Sequence, residues 1–399
     1  MKLNRWCLVL ASAGLVTLPS ALQAEEQAQP VVLTQLASTT LSGYVDTSAQ
    51  WNFGTDGNAN VPPYTYNSPS KSDGFNLNVV DIALDKAEDD SPWAAGYHVE
   101  LWLGPDAVVL GTQPPGVESS DFAIRQAYVT LRTPIGNNIE WKVGVFDTII
   151  GYESFSSPAN VNYTRSYSFT IEPSQHTGIL GSYQINNEFS VNAGVANTFG
   201  PSINGRADIE SYKTYMGTLT FTCPTNWSWL SGSTLTAGGI NGFNPNDGEG
   251  VGVRQTSFYA AASINTPIQQ LKLAATVDYA DVHNATTVQD GGDGTAWAWD
   301  LYVMWQITEK LALNVRGEYV YLNNESLDGG TVDISDIAGA NHIQEITATA
   351  QYDIWKNVLT RVEFRWDHIE HGPAFGGTVP GSPTRDNAYL LAANIIYKF

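Results

Sequence analysis

Nearly the whole chain is built from segments of about 9 to 13 residues in which apolar and polar side chains strictly alternate. Successive side chains on a β-strand point to opposite faces, so a period of two means one apolar and one polar face, whereas a helix would scatter both sets around its axis. In Asn387 to Phe399 one parity is Tyr389, Leu391, Ala393, Ile395, Tyr397 and Phe399, and the other contains Asn394 and Lys398. In Val358 to Ile369, Val358, Val362, Phe364 and Trp366 oppose Arg361, Glu363, Arg365 and Asp367. In Ala296 to Ile307, Trp297, Trp299, Leu301, Val303 and Trp305 oppose Asp300, Tyr302 and Gln306. The alternation predicts sixteen strands: 41–53, 75–86, 94–103, 122–133, 139–147, 175–185, 188–198, 211–223, 233–244, 255–265, 271–282, 296–307, 311–323, 343–354, 358–369 and 387–399.

The connections alternate as strictly as the residues. Short turns such as Asn186-Asn187, Thr308-Glu309-Lys310 and Trp355-Lys356-Asn357 take turns with long loops such as 54–74, 148–174, 324–342 and 370–386, rich in Gly, Pro, Asn, Ser and Asp. Short turns on one side and long loops on the other are the asymmetry of an outer-membrane barrel, with tight periplasmic turns and long external loops. The fold expected is therefore all-β, a transmembrane antiparallel β-barrel of 16 strands. A soluble propeller or sandwich also offers many short strands, but three features weigh against it. Trp297 and Trp305, like Tyr389 and Tyr397, are eight residues apart on the apolar parity, or ~20 Å of height after tilt, as interface girdles would be. The apolar parity of the best strands is almost free of charge, as a lipid-facing surface requires when a mid-bilayer Lys or Arg costs ~2 to 4 kcal/mol. The chain ends on an aromatic residue of a perfectly alternating strand, Tyr397 to Phe399, the placement of a barrel-assembly signal.

Residues 1–24 are expected to be a secretory signal that is removed: Lys2 and Arg5, an apolar stretch from Leu8 to Leu18, and Ala24 before Glu25-Glu26. Residues 25–40 are expected to form an N-terminal periplasmic segment and 41–399 the barrel. Loss of Lys2 and Arg5 takes the formal charge from −21 to −23 and leaves Cys223 as the one cysteine, so no intrachain disulfide forms. Mean hydropathy is −0.17, and no apolar run of ~18 residues follows the N-terminus, which excludes a helical membrane protein but not a barrel. With no basic stripe, nucleic acid is not an expected partner. No cofactor or metal is implied. The Asp- and Gly-rich stretches 246–250 and 290–294 lack the spacing of a calcium loop and read as solvated turns.

Sixteen strands enclose a channel instead of a packed core. The lumen parity carries Asp46, Glu100, Glu140, Lys142, Lys272, Asp278, Asp300, Arg316, Glu318, Arg361, Glu363, Arg365 and Asp367. These charges either pair across the wall to stiffen it or form a selectivity field, for which Arg361, Glu363, Arg365 and Asp367 make the best ladder. Loop 148–174 is the third external loop and the longest, with Tyr152, Glu153, Phe155, Arg165, Tyr167, Phe169 and Glu172. Folded inward, it would pack aromatics on the wall and leave Glu153 and Glu172 in the channel; folded outward, it is an ordinary cap. The pore-lining and constriction candidates are thus Glu153, Arg165, Glu172, Asp300, Arg316, Glu318, Arg361, Glu363, Arg365 and Asp367, with Tyr397 and Phe399 as the assembly signal.

Ser42-Gly43-Tyr44-Val45-Asp46, Ile124 to Leu131, Trp141 to Phe146 and Asn162 to Tyr167 together resemble the beta-barrel porin-2 (OmpL-like) family. The resemblance runs through nearly the whole mature chain. It implies a Gram-negative outer-membrane barrel with pore function, and it carries no defined substrate and no agreed functional residues. Loop 148–174 lacks the Pro-Glu-Phe-Gly-Gly constriction motif of classical trimeric porins, so the resemblance implies neither an inward loop nor a trimer. The expected function is a passive, water-filled outer-membrane channel for small hydrophilic solutes, leaning toward cations. A substrate-specific channel or a loop-plugged structural barrel is the alternative. Expected partners are outer-membrane lipid and lipopolysaccharide, the barrel-assembly machinery through the C-terminal strand, and the solutes; a homotrimer stays open. A hydrolase is the remaining class, but His368 and His371 with Asp367 and Glu370 form the one constellation, Asp367 and His368 have opposite parity, and no Gly-x-Ser-x-Gly or His-Glu-x-x-His motif occurs. No catalytic residue is assigned.

Overall fold

A computed structural model of the chain describes residues 38–53, 60–62, 73–114, 118, 120–207, 212–244, 254–283, 294–324, 341–379 and 381–399. The expected signal, most of segment 25–40, stretches 246–250 and 290–293, and large parts of loops 54–74 and 324–342 lie outside the described residues.

The first eight strands are β1 (Thr39–Phe53), β2 (Gly74–Lys86), β3 (Ala94–Leu103), β4 (Phe122–Thr133), β5 (Ile139–Asp147), β6 (Gln175–Gln184), β7 (Phe189–Ala196) and β8 (Thr214–Thr222). The second eight are β9 (Thr234–Phe243), β10 (Arg254–Asn265), β11 (Leu271–His283), β12 (Gly294–Gln306), β13 (Leu311–Asn324), β14 (Asn341–Trp355), β15 (Val358–Ile369) and β16 (Asn387–Lys398). Each pairs with its sequence neighbours in antiparallel register, and β16 closes on β1 from Tyr44↔Lys398 to Phe53↔Tyr389. Closure leaves no strand edge unpaired, the condition for irregularity-free passage through hydrocarbon. The strand from Thr39 starts inside the segment expected to precede the barrel.

The pleat orients the two parities as the alternation predicts. Trp297, Trp299, Leu301, Val303 and Trp305 are exposed on the outside, while Asp300 and Tyr302 between them are buried. On β16 Tyr389, Leu391, Ile395 and Tyr397 face out, and Leu390, Ala392, Asn394 and Ile396 are buried. Near the external end the outward aromatics form a continuous chain, from Tyr279 to Trp297 at 4.5 Å between ring centres, Trp297 to Trp299 at 5.7 Å and Trp299 to Tyr319 at 5.8 Å. Amphipathic rings of this kind belong at a membrane interface.

The short turns use residues that tolerate a left-handed backbone. Asn357, between β14 and β15, has φ 67°, a conformation Asn adopts more readily than other side-chain-bearing residues. A register shift between Glu100 and Leu101 adds an extra residue opposite them on β4. Its effect is to turn adjacent residues to one site, so that both Arg125 and Gln126 reach Glu100.

The interior is filled by external connections. The loop after β3 forms α1 (Pro105–Leu110), whose Ala107 and Leu110 pack with Val79, Trp102 and Ala123 of the wall. Phe199, after β7, joins Phe146, Ile150, Leu180, Met216, Ile240 and Tyr259 in a second apolar cluster. Loop 148–174 makes the rest, with α2 (Tyr167–Ile171) inside it.

Candidate functional site

Loop 148–174 leaves β5 and returns to β6, closed at its base by Thr148 N–H to Ser174 carbonyl at 2.8 Å. Between those points it crosses the barrel to β12–β16 and β1. The crossing is written in hydrogen bonds between loop residues and wall residues more than a hundred positions away in sequence. Ser157 Oγ donates to Asp46 on β1 at 2.6 Å, and Tyr163 Oη to Ser48 at 2.9 Å. Asn162 Nδ2 donates to Thr349 on β14 at 2.7 Å.

Two wall carboxylates hold the loop backbone. Glu363 accepts from Tyr163 N–H at 2.5 Å, Thr164 N–H at 2.9 Å, Thr164 Oγ1 at 2.6 Å and Thr349 Oγ1 at 2.7 Å. Glu318 accepts from Tyr167 N–H at 2.8 Å and Ser168 N–H at 2.7 Å. These are the first amides of α2, which have no partner within the helix; Ser166 Oγ takes a third, from Phe169, at 3.1 Å. Ionised acceptors on otherwise orphaned amides make each bond stronger than a neutral one.

The arginines complete the seat. Arg316 bonds Glu153 of the loop at 2.7 Å, Glu345 at 3.1 Å and the Thr164 carbonyl at 3.0 Å. Arg365 bonds Asp367 at 2.7 Å and the Arg165 carbonyl at 2.6 Å, under the Tyr167 ring, whose hydroxyl donates to Asp367 at 3.0 Å. Arg361 holds the Ser157 and Asn160 carbonyls. Arg165 turns back on its own loop, to the carbonyls of Ser154, Tyr163 and Phe155. A guanidinium has five donors and no acceptor, so it suits a wall that must receive loop carbonyls.

The register explains why so many acids meet there. Asp300, Glu318, Glu345 and Asp367 are directly opposed in turn across β12, β13, β14 and β15. Like charges directly opposite on a sheet repel, so this row depends on the loop amides, Ser168, Tyr167, Arg316 and Arg365 that bond it. Of the sequence-derived candidates, Arg165, Asp300, Arg316, Glu318, Arg361, Glu363, Arg365 and Asp367 are each no more than 5% exposed. They lie between loop and wall. Glu153 is drawn into the same network by Arg316 and Ser166. Glu172 lies apart, near the base, beside Asp278 of β11. Burial, and then the Asp278 charge, holds its carboxyl well above the usual range. Gly151, at φ +107°, lets Glu172 fold against the loop backbone: a Cβ there would stand 2.2 Å from Glu172 Oε2.

Glu345, Thr349, Asn162 and Thr164 were missing from the sequence-derived set. The lumen parity of β14 was the signal for Glu345, because correct strand pairing sets it between Glu318 and Asp367. The hydrolase constellation does not come together: Asp367 is buried with Arg365 and Tyr167, while His368 stacks on Trp366 and meets Asn387 on the other face. No group of three or more metal-ligating side chains occurs among the described residues.

Comparison with known proteins agrees with this architecture. Residues 38–399 match the family model described as "Putative beta-barrel porin-2, OmpL-like". The chain belongs to this porin family. It is an outer-membrane porin of the Gram-negative type, with the resemblance in its strands extending over the whole barrel. Solved structures share the fold at low identity. An anion-selective porin from Comamonas acidovorans is 14% identical with TM-score 0.58, over 91% of this chain and 99% of that chain. OmpF of Salmonella typhi, in complex with daunomycin, is 16% identical with TM-score 0.56, over 90% and 97%. The outer membrane channel DcaP of Acinetobacter baumannii is 13% identical with TM-score 0.55, over 90% and 97%. No protein of curated function matches the porin's sequence.

Proposed function

We propose that this porin is a passive, water-filled channel for small hydrophilic solutes, narrowed by loop 148–174. The carrying observation is the loop's course across the lumen to Asp46, Glu318 and Glu363 on the far wall. In this reading Glu153, Arg165, Asp300, Arg316, Glu318, Arg361, Glu363, Arg365 and Asp367 fix the loop, and thereby the size of the passage, while Glu172 supports the loop base. The net negative charge draws cations to the mouth, giving a mild cation preference that salt screens over ~8 to 10 Å. Tyr397, exposed on the outside of β16, and the terminal Phe399 are the part of the C-terminal strand that the barrel-assembly machinery engages.

Single-channel recording of the refolded porin in a planar bilayer tests this, against a variant with residues 154–166 replaced by a short Gly-Ser linker. Discrete steps that grow in the variant are expected. Silence from both inserted proteins would refute the channel. Silence from the parent with steps from the variant would favour a loop-plugged structural barrel, a reading supported by the burial of α1 and Phe199 inside the same lumen.

A further inference from the structure

The wall of β6–β10, which loop 148–174 touches through Ile150, Tyr152 and Ile171, differs in chemistry from the wall on which most of the loop lies. Strands β6, β7, β8, β9 and β10 contain no Asp, Glu or Lys, and their one Arg, Arg254, stands exposed at the external end on the outward parity with Phe258. Their lumen parity divides by height. The external half is closed, with Leu180, Met216, Ile240 and Tyr259 covered by Ile150 and Phe199, and His176, Thr214, Gln255 and Ser257 buried among them. The periplasmic half is hydroxyl and amide: Ser182 donates to Asn192 at 2.6 Å, Asn192 to Thr218 at 3.0 Å, and Thr220 pairs with Thr236 at 3.0 Å. Ser182, Asn192, Thr220 and Thr236 are half-buried, open to the lumen. Each hydroxyl or amide in this row keeps unused donor or acceptor capacity beyond its lateral bonds.

The loop turns a similar face to the water. Its incompletely buried residues include the uncharged Tyr152, Ser154, Ser156, Pro158 and Ala159, and two acids that are turned to protein partners, Glu153 to Arg316 and Glu172 to Asp278. The exposed and half-exposed charges on the described lumen wall lie on other strands, Lys272 at the periplasmic end of β11 opposite Asn265 and a group on β2–β5. Lys142, at 4.7 Å over the Tyr128 ring, stands on β2–β5 with Asp85 and the His98–Glu100 pair. The acids that give the chain its net charge are, in the ladder, consumed by arginines and loop amides.

From this asymmetry we infer that the solutes favoured by the passage are uncharged polyhydroxylated molecules of sugar size. The inference rests on the channel reading and names its substrate class. A solute hydroxyl both donates and accepts, so it exchanges its water for Ser182, Asn192, Thr220 and Thr236 one bond for one. An ion entering the same stretch meets no opposite charge to offset lost hydration, because the wall dipoles are neutral and the carboxylates are already bonded. A selectivity field of the kind that rings of exposed charge create is absent from this side of the lumen, among the described residues.

The test uses the full-length porin in liposomes, comparing swelling in isosmotic glucose, sodium glucuronate and glucosamine hydrochloride, three solutes of one ring size and three charges. Glucose entering fastest is expected. The double variant Thr220→Val and Thr236→Val keeps side-chain shape and removes two hydroxyls. It should slow glucose about three- to fivefold, as loss of a hydrogen bond worth ~1 kcal/mol implies, with potassium chloride conductance unchanged. Glucuronate or glucosamine matching glucose, or a double variant as fast as its parent, overturns the assignment. Salt conductance without glucose entry overturns the substrate class alone. Absence of both overturns the channel reading with it.

Discussion

Glu363→Gln should free loop 148–174 from its seat without disturbing the barrel. The carboxylate serves two donors on each oxygen, Thr164 N–H and Oγ1 on one, Tyr163 N–H and Thr349 Oγ1 on the other. Glutamine keeps the shape and one acceptor oxygen. Its amide nitrogen then faces a hydroxyl, which can rotate and accept, and a backbone N–H, which cannot. Two charge-assisted bonds become neutral and one buried N–H is orphaned, about 3 kcal/mol in sum. At 1.4 kcal/mol per decade, the undocked loop becomes roughly a hundredfold more populated. The assay is single-channel recording with limited proteolysis of the folded protein in detergent. Larger, noisier open steps and cleavage within 154–166 are expected, with barrel unfolding temperature little changed because β15 keeps its ladder with β14 and β16. Parental conductance together with parental protease resistance would refute the argument that this carboxylate holds the loop.

Gly151→Ala should loosen the loop at its base, since the new Cβ meets Glu172 Oε2 at 2.2 Å and the backbone sits at φ +107°; cleavage near 151 in limited proteolysis should rise, and a fully resistant variant would contradict the close approach. Glu172 gives a pH dependence. Its folded pKa lies above the unfolded value, so its contribution is full below about pH 4.3 and is lost as pH rises toward the folded pKa. Glu172→Gln should therefore gain unfolding temperature over the parent at pH 8 relative to pH 4, and an equal difference at both pH values would contradict the raised pKa.

The fold was legible because two solvents write on alternate residues. Lipid excludes charge from the outward parity of Trp297 to Trp305, and water or partners occupy Asp300 and Tyr302 between them, so all sixteen strands could be placed with bounds differing from those observed by a few residues. The largest differences, as at β8, where 211–223 became Thr214–Thr222, fall at ends where alternation continues into a loop. The ladder on β15 was visible for the same reason. Its use was not, because nothing periodic encodes where an irregular loop runs. Glu318 and Glu363 read as lumen charges that either pair across the wall or form a selectivity field, yet their partners include backbone N–H groups, which every sequence carries and none advertises. The Pro-Glu-Phe-Gly-Gly motif was likewise a poor guide, since this loop enters the lumen without it.

The loop's landing place also has a meaning for how the barrel is put together. It departs between β5 and β6 but rests on β12–β16 and β1, so its seat does not exist until the last strands of the chain have arrived. It then spans the one junction where first and last strands meet. Asp46 of β1 holds Ser157 of the loop and Asn394 of β16 together, while Glu363 and Arg361 grip the same loop from β15. Contacts of such long sequence separation form late. Docking of the loop is thus a clasp that fastens only a completed ring, and parting β1 from β16 afterwards would require breaking the clasp as well as the ladder.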